Sequence, residues 1–281
     1  MKLGVFSVSM PDYDPMQTLE KLAELGYDGV EWRVTDDKGD RAKPSFWSGN
    51  RTSMTAAELT ALAPKLVAKA AELNLAMPAL GAYIDCADAA VVEEHLRAGA
   101  AIGAKNVRVS AGRYDPARGS YPAQVQAARA HYAVVAGLAR QHGVRAVIET
   151  HMGQLAPSMS KAMNILRDLD PKHVGIMWDP GNQVVEGREV YSMALEIAGE
   201  YLAEVHAKNM RFEAGETKDG RTVWKSVACP LREGQADWPE IIAALKRFGY
   251  DGWIHFEDFS TERPLDERLR DNLAWFREMT E

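Results

Sequence analysis

The 281 residues carry a formal net charge of −7, with Lys and Arg scattered along the chain, so no basic block is present to neutralise nucleic-acid phosphates. Hydrophobic residues make up 46%, enough for a large soluble core, yet no apolar run approaches the roughly 20 residues that span a membrane. Cys86 and Cys229 lie far apart with no CxxC motif, and the opening MKLGVFSVSM is too short in its apolar run for a secretory signal, so a reducing, cytoplasmic setting is expected.

Along the chain, short β-rich runs alternate with long stretches rich in Ala, Leu, Glu and Lys. Strand one is predicted over Lys2–Val8, followed by a helix over Pro15–Leu25. Strand two, Gly29–Val34, precedes a helix at Thr55–Leu73. Strand three, Leu75–Ala82, precedes one at Ala89–Ile102, and strand four, Asn106–Ala111, one at Pro122–His142. Strand five, Arg145–Thr150, leads to a helix over Ser160–Leu169, and strand six, Val174–Asp179, to one over Val190–Tyr201. Strand seven, Ala203–Lys208, precedes a helix at Trp238–Phe248, and strand eight, Gly252–Glu257, one at Pro264–Thr280. Gly between helix and strand, as in "ELGYDGVEW" and "RFGYDGWIHF", suits a left-handed helix cap.

Eight βα units in a chain of this length predict an α/β fold, a single (β/α)8 TIM barrel forming one domain over residues 1–281. The runner-up, a doubly wound open sheet, usually carries a GxGxxG turn after its first strand, and none is present. Two connections are long for βα loops, Asp36–Met54 and Met210–Leu231. The second contains alternating "RTVWKSVA", the pattern of a β-hairpin over the site or at a subunit contact of a homodimer or tetramer.

The last four strands each stop on a residue that can bind a metal. "VIETH" ends strand five with Glu149, "GIMWDPGN" ends strand six with Asp179, "AEVHAKN" carries His206 and Lys208, and "WIHFEDF" carries Glu257. In a barrel these C-terminal strand ends gather on the face that holds active sites. A buried unpaired carboxylate is costly, and a dication would let three of them ionise together. Three carboxylates and one imidazole suit Mn2+ best, with Mg2+ or Co2+ as alternatives, rather than a structural zinc. Taken singly, each of these residues has a plain structural role open to it, as a helix cap or an ion-pair partner. Their recurrence at four successive strand ends carries the metal reading.

These residues resemble the xylose-isomerase-like TIM barrels, the sugar phosphate isomerase/epimerase group, over essentially the whole chain. The likeness is strongest to the ketose 3-epimerase, inosose dehydratase and hydroxypyruvate isomerase branches. The family's Glu, Asp, His, Glu set on strands five to eight falls on Glu149, Asp179, His206 and Glu257, and "PLREGQADWPEIIAALKRFGYDGWIHFE" is a further family-like passage. The resemblance implies that Glu149 and Glu257 are acid/base groups as well as ligands. Such a pair moves a proton next to a metal-polarised ketone through an enediolate, giving epimerisation, aldose–ketose isomerisation or, if a β-hydroxyl leaves, dehydration. Ketose 3-epimerases tend to have a His three residues after the strand-six Asp; Asn182 stands there.

Further candidates for binding a small carbohydrate are Lys208, His151, Asn182, Glu31 and Arg113. Lys208 and His151 each lie two residues beyond a ligand, on the same side of their strands, with an ion pair or a structural hydrogen bond as the alternative role. Glu31 in "GVEWRV" is a candidate for a sugar hydroxyl and Arg113 in "SAGRYDP" for an anion. Trp32, Trp47 and Trp178 are candidates for stacking on a sugar face or for the core. The segments after strands seven and eight, "AKNMRFEAG" and "DFSTERP", lack a glycine-rich phosphate turn, so an unphosphorylated substrate is expected. No GxSxG, GxxxxGK[ST] or HExxH motif is present. An endonuclease of this fold would need a larger histidine-rich cluster and a basic groove. The non-enzyme alternative is an accessory subunit that keeps its metal.

Overall fold

The computed structural model describes residues 1–281. Eight strands are buried along nearly their whole length, as strands covered on both faces are. They are β1 (Lys2–Phe6), β2 (Gly29–Val34), β3 (Ala76–Ala82), β4 (Asn106–Arg108), β5 (Arg145–Glu149), β6 (Val174–Trp178), β7 (Leu202–Ala207) and β10 (Trp253–Phe256). All pair in parallel with their neighbours, and β1 closes on β10 to give the ring β1-β10-β7-β6-β5-β4-β3-β2. The expected (β/α)8 barrel is therefore formed, and strand and helix positions follow the alternation of the sequence.

The surrounding helices are α1 (Pro15–Leu25), α2 (Ala56–Glu72), α3 (Ala89–Ala101), α4 (Tyr121–His142), α5 (Met159–Leu166), α6 (Pro180–Val185), α7 (Tyr191–Ala198), α8 (Trp238–Phe248) and α9 (Leu265–Thr280). Their ends are written in the chain. Asp14 and Gln17 form a capping box at α1, and Thr55 and Glu58 another at α2. Gly26 and Gly249 end α1 and α8 with φ of 91° and 81°, a conformation that costs other residues more. Leu19 and Leu22 of α1 and Trp238, Ile241 and Leu245 of α8 turn inward at helical spacing. Phe276 of α9 meets Trp238 at 5.0 Å and Phe256 at 4.7 Å between ring centres, which locks the last two helices onto β10.

The apolar core lies between the ring of strands and the helices. Buried charge gathers instead at alternate positions of the strands, as in Glu204, His206 and Lys208, or His255 and Glu257. Several strands stop earlier than expected. β6 ends at Trp178 because the Asp179 side chain accepts the Asn182 N–H and starts α6. That short helix was absent from the sequence reading, although Asp followed by Pro is an N-cap and N1 signal. β4 ends at Arg108 rather than Ala111, with only the isolated bridges Asp85–Ser110 and Arg113–Gln154 beyond it. The long connection after β7 folds as the expected hairpin, β8 (Met210–Lys218) against β9 (Arg221–Ala228). No helix is long and apolar enough to cross a membrane.

Candidate metal centre

Glu149 closes β5, Asp179 follows β6, His206 sits near the end of β7, and Glu257 follows β10. One ligand atom from each lies within 4.8 Å of the others, and all four side chains are buried. The four strand ends thus converge as the sequence suggested. Each side chain is held by neighbours. Arg108 Nη1 donates to Glu149 Oε2 at 2.7 Å. Asn182 Nδ2 donates to Asp179 Oδ2 at 2.7 Å and to Glu149 Oε1 at 3.2 Å. Lys208 Nζ donates to Asp179 Oδ2 at 2.8 Å and also to Glu257 Oε2.

His206 shows which ring nitrogen faces the set. Its Nε2 lies 2.6 Å from Glu31 Oε2, which places the proton there. Its Nδ1 has no hydrogen-bond partner and lies 3.9 Å from both Glu149 Oε1 and Glu257 Oε2. A buried ring nitrogen with no protein partner, facing carboxylates, fits a divalent cation, which would replace the Nδ1 proton that these carboxylates otherwise favour. The three carboxylates outnumber the two fixed cations beside them, Lys208 and Arg108, so the set remains acidic.

Burial alone would raise the Glu149 carboxyl, but Arg108, then His151, Lys208 and His206, hold it down at about 2. The ammonium of Lys208 is raised despite burial, by Asp179, Glu257 and Glu149. His206 is pushed up to about 10, chiefly by Glu31 acting against burial. Beneath the set lies a further polar layer. His255 Nδ1 is 3.3 Å from Glu31 Oε2 and 3.6 Å from Glu204 Oε2, and Asn106 Nδ2 donates to Glu204. Burial lowers His255 to about 4 and, with Glu31, raises Glu204 to about 8, so both are neutral near pH 7.

Three candidates for substrate contact lie within or beneath the set. Glu31, a candidate for a sugar hydroxyl, is fully buried, with Oε2 at 2.6 Å from His206 Nε2 and Oε1 without a partner. Asn182 is likewise buried, and its amide donors go to Asp179, Glu149 and the Thr150 carbonyl rather than outward. Lys208 takes the ion-pair alternative, inside the ligand set. In each case the inward row of a closed barrel brings together side chains from strands far apart in sequence. Trp32 and Trp178 are core residues, whereas Trp47 is 55% exposed and packs on Phe259 with ring centres 4.7 Å apart.

A cavity of about 330 Å³ opens beside Glu149, lined by Tyr83, Asp85, Arg108, Arg113, His151 and Gln154 among others. His151 and Arg113 therefore line the cavity beside the set. Arg108, Glu204, His255 and Asn106 were missed in the sequence. The signal was plainest for two of them, Glu204 and His255, since Glu204-x-His206-x-Lys208 and His255-x-Glu257 put polar residues at every second position of otherwise apolar strands. Asn106 and Arg108 in "NVRV" show the same alternation over a single pair, too short to stand out.

The xylose isomerase-like TIM barrel family model matches residues 19–279, and the chain belongs to that family. An inosose dehydratase of Geobacillus thermodenitrificans (strain NG80-2) is 26% identical over 142 residues, which is 47% of each chain. The match thus spans about half the length of that relative. Solved structures extend the likeness to the full length. A 3-keto-D-glucoside 4-epimerase from E. coli has a TM-score of 0.73 at 20% identity, with 99% of each chain covered. A D-psicose 3-epimerase has a TM-score of 0.73 at 16% identity, covering 100% of this chain and 99% of that one. At these identities the structural likeness establishes the fold.

Proposed function

We propose that this protein is a divalent-metal-dependent isomerase or epimerase acting on an unphosphorylated keto sugar or related polyhydroxy ketone. The observation that carries the reading is the buried Glu149–Asp179–His206–Glu257 set, with its unpartnered His206 Nδ1, beside an open cavity. Mn2+ is the cation this donor set favours, with Mg2+ or Co2+ as alternatives. When bound, the cation polarises the ketone and an adjacent hydroxyl and lowers the cost of charge on their oxygens.

The chain's own groups move the proton. Glu149, kept ionised by Arg108, takes it from the carbon next to the ketone, and the electron pair passes to the carbonyl oxygen as an enediolate. Glu257 takes up a proton across its hydrogen bond from the Lys208 ammonium and delivers it to the enediolate from the other side of the set; water then reprotonates the amine and takes the proton from Glu149. Return to the same carbon on the opposite face inverts it; return to the former carbonyl carbon isomerises the sugar. Asp179 and Asn182 hold Glu149 and Lys208 in place.

A dehydratase for an inosose or a keto-sugar acid is the second reading. It is favoured by the inosose dehydratase likeness and by Lys208, an ammonium positioned to protonate a leaving hydroxyl. Turnover of a ketose and inosose panel with Mn2+ in D₂O tests both readings. Deuterium is expected at the carbon next to the carbonyl, and Glu149→Gln or Glu257→Gln should slow its entry by roughly 10²–10⁴-fold. Loss of water from the product favours the lyase. Turnover without solvent deuterium overturns the proton-transfer route, and no turnover on any member leaves an accessory, non-catalytic barrel.

A further inference from the structure

The cavity beside Glu149 does not end at the metal set. A second cavity of about 230 Å³ lies beside it, and the two share Asp85 and Arg113 in their walls. The far cavity is also lined by Arg118 and His131. Arg113 stands in the loop after β4. Its guanidinium lies against Gly153 in the turn that follows Glu149, so closely that a Cβ there would sit 3.1 Å from Nη2. The two loops are stitched together by a backbone bridge between Arg113 and Gln154 and by Tyr114 N–H donating to the Gly153 carbonyl at 3.3 Å.

The arginines around these cavities differ in one respect. Arg108 is bound to Glu149 at 2.7 Å, and Arg118 lies 3.7 Å from Asp115. Arg113, an exposed residue, has no carboxylate within 4 Å and lines both cavities, and its donor fork makes no side-chain hydrogen bond within the protein. Such a fork matches a carboxylate bidentately. Asp85, which lines both cavities, accepts the Ala87 N–H at 2.9 Å through one oxygen and leaves the other to accept from substrate hydroxyls, so a carboxylate on Arg113 must lie on the side of the guanidinium away from it.

We propose that the substrate is a keto-sugar acid: its ketone lies at the metal set, and its far end carries a carboxylate held by Arg113. This rests on the keto-sugar reading above. It adds a charge that the metal set does not require and makes Arg113 the residue that selects acid over neutral sugar.

Calorimetric titration of the Mn2+-loaded protein with three matched probes, D-fructuronate, D-fructose and D-fructose 6-phosphate, tests it without needing turnover. Fructuronate should bind more tightly than fructose. Arg113→Gln should lower the fructuronate-to-fructose affinity ratio about 10- to 100-fold, the size of one charge-assisted hydrogen-bonded pair. Arg113→Lys, which keeps the charge and loses the fork, should recover part of it. Fructose binding with no preference for fructuronate, or a ratio unmoved by Arg113→Gln, overturns this inference alone. Preference for the phosphate ester overturns the carboxylate. Failure of all three sugars to bind removes the keto-sugar reading as well.

Discussion

At the scale of single residues, the centre depends on partners that hold its four side chains. Glu31 assigns the His206 tautomer, and Asn182 ties Asp179 to Glu149 through one amide nitrogen. Partners of this kind orient a ligand and raise its basicity, and losing one typically costs 10–100-fold in metal affinity. Glu31→Gln and Asn182→Ala are each expected to weaken Mn2+ binding by roughly that factor in calorimetric titration. Affinities equal to wild type would show that the four ligands set themselves without help. These partnerships were hard to read in the sequence because of distance along the chain: Arg108 and Glu149 are 41 residues apart, Glu31 and His206 175. Glu149, Asp179, His206 and Glu257 were readable because each interrupts its own apolar run.

Among the elements, the Asp36–Met54 connection shows how a long loop is held without secondary structure. Asp37 accepts the N–H groups of Gly39, Gly49 and Asn50, each at 2.9 Å, and pairs with buried Arg33 at 3.1 Å. Asn50 then donates to the Val8 carbonyl, which fixes the loop to the end of β1 and brings Phe46 and Trp47 against Phe259. Burial opposes ionisation of Asp37, but the three N–H groups and Arg33 outweigh it, so its carboxyl is held below the ordinary value. With the folded-state value below the unfolded one, the stabilisation is present above about pH 4 and lost as pH falls through the folded value. Asp37→Asn should therefore cost about 1–3 kcal/mol at pH 7, the penalty for a disrupted buried hydrogen-bond hub. The gap to wild type should narrow as pH drops below about 4. Denaturant unfolding at pH 7 and at acid pH measures it, and a gap independent of pH would reject the ionic part of the account.

For the whole molecule, metal and fold are linked, because the four ligand positions are adjacent only when the ring of strands is closed. A ligand that binds the folded state alone, present at about 100 times its Kd, adds about 2.7 kcal/mol of stability. For a chain near this size that corresponds to a rise in Tm of roughly 5–10 °C. Thermal unfolding with and without Mn2+ should show such a rise, reversed by chelator and reduced in Glu149→Gln. A Tm indifferent to Mn2+, Mg2+ and Co2+ would remove the metal from the account.

Local pattern alone determined the barrel. Apolar runs of strand length, helical spacing between them, caps such as Asp14 and glycines such as Gly26 act over a few neighbouring residues, and their count and order leave few topologies open. The four ligand types were determined in the same way, since a charge that ends a buried strand is visible in its own run. What each inward polar group faces was decided only by closure of the ring. Glu31 and Asn182 hydrogen-bond to members of the set, Lys208 pairs with Asp179 and Glu257 inside it, and Arg113 lines two neighbouring cavities. The physical reason is that hydrogen bonds and ion pairs act over about 3 Å in space, and strands distant in sequence come within that reach only when the barrel closes.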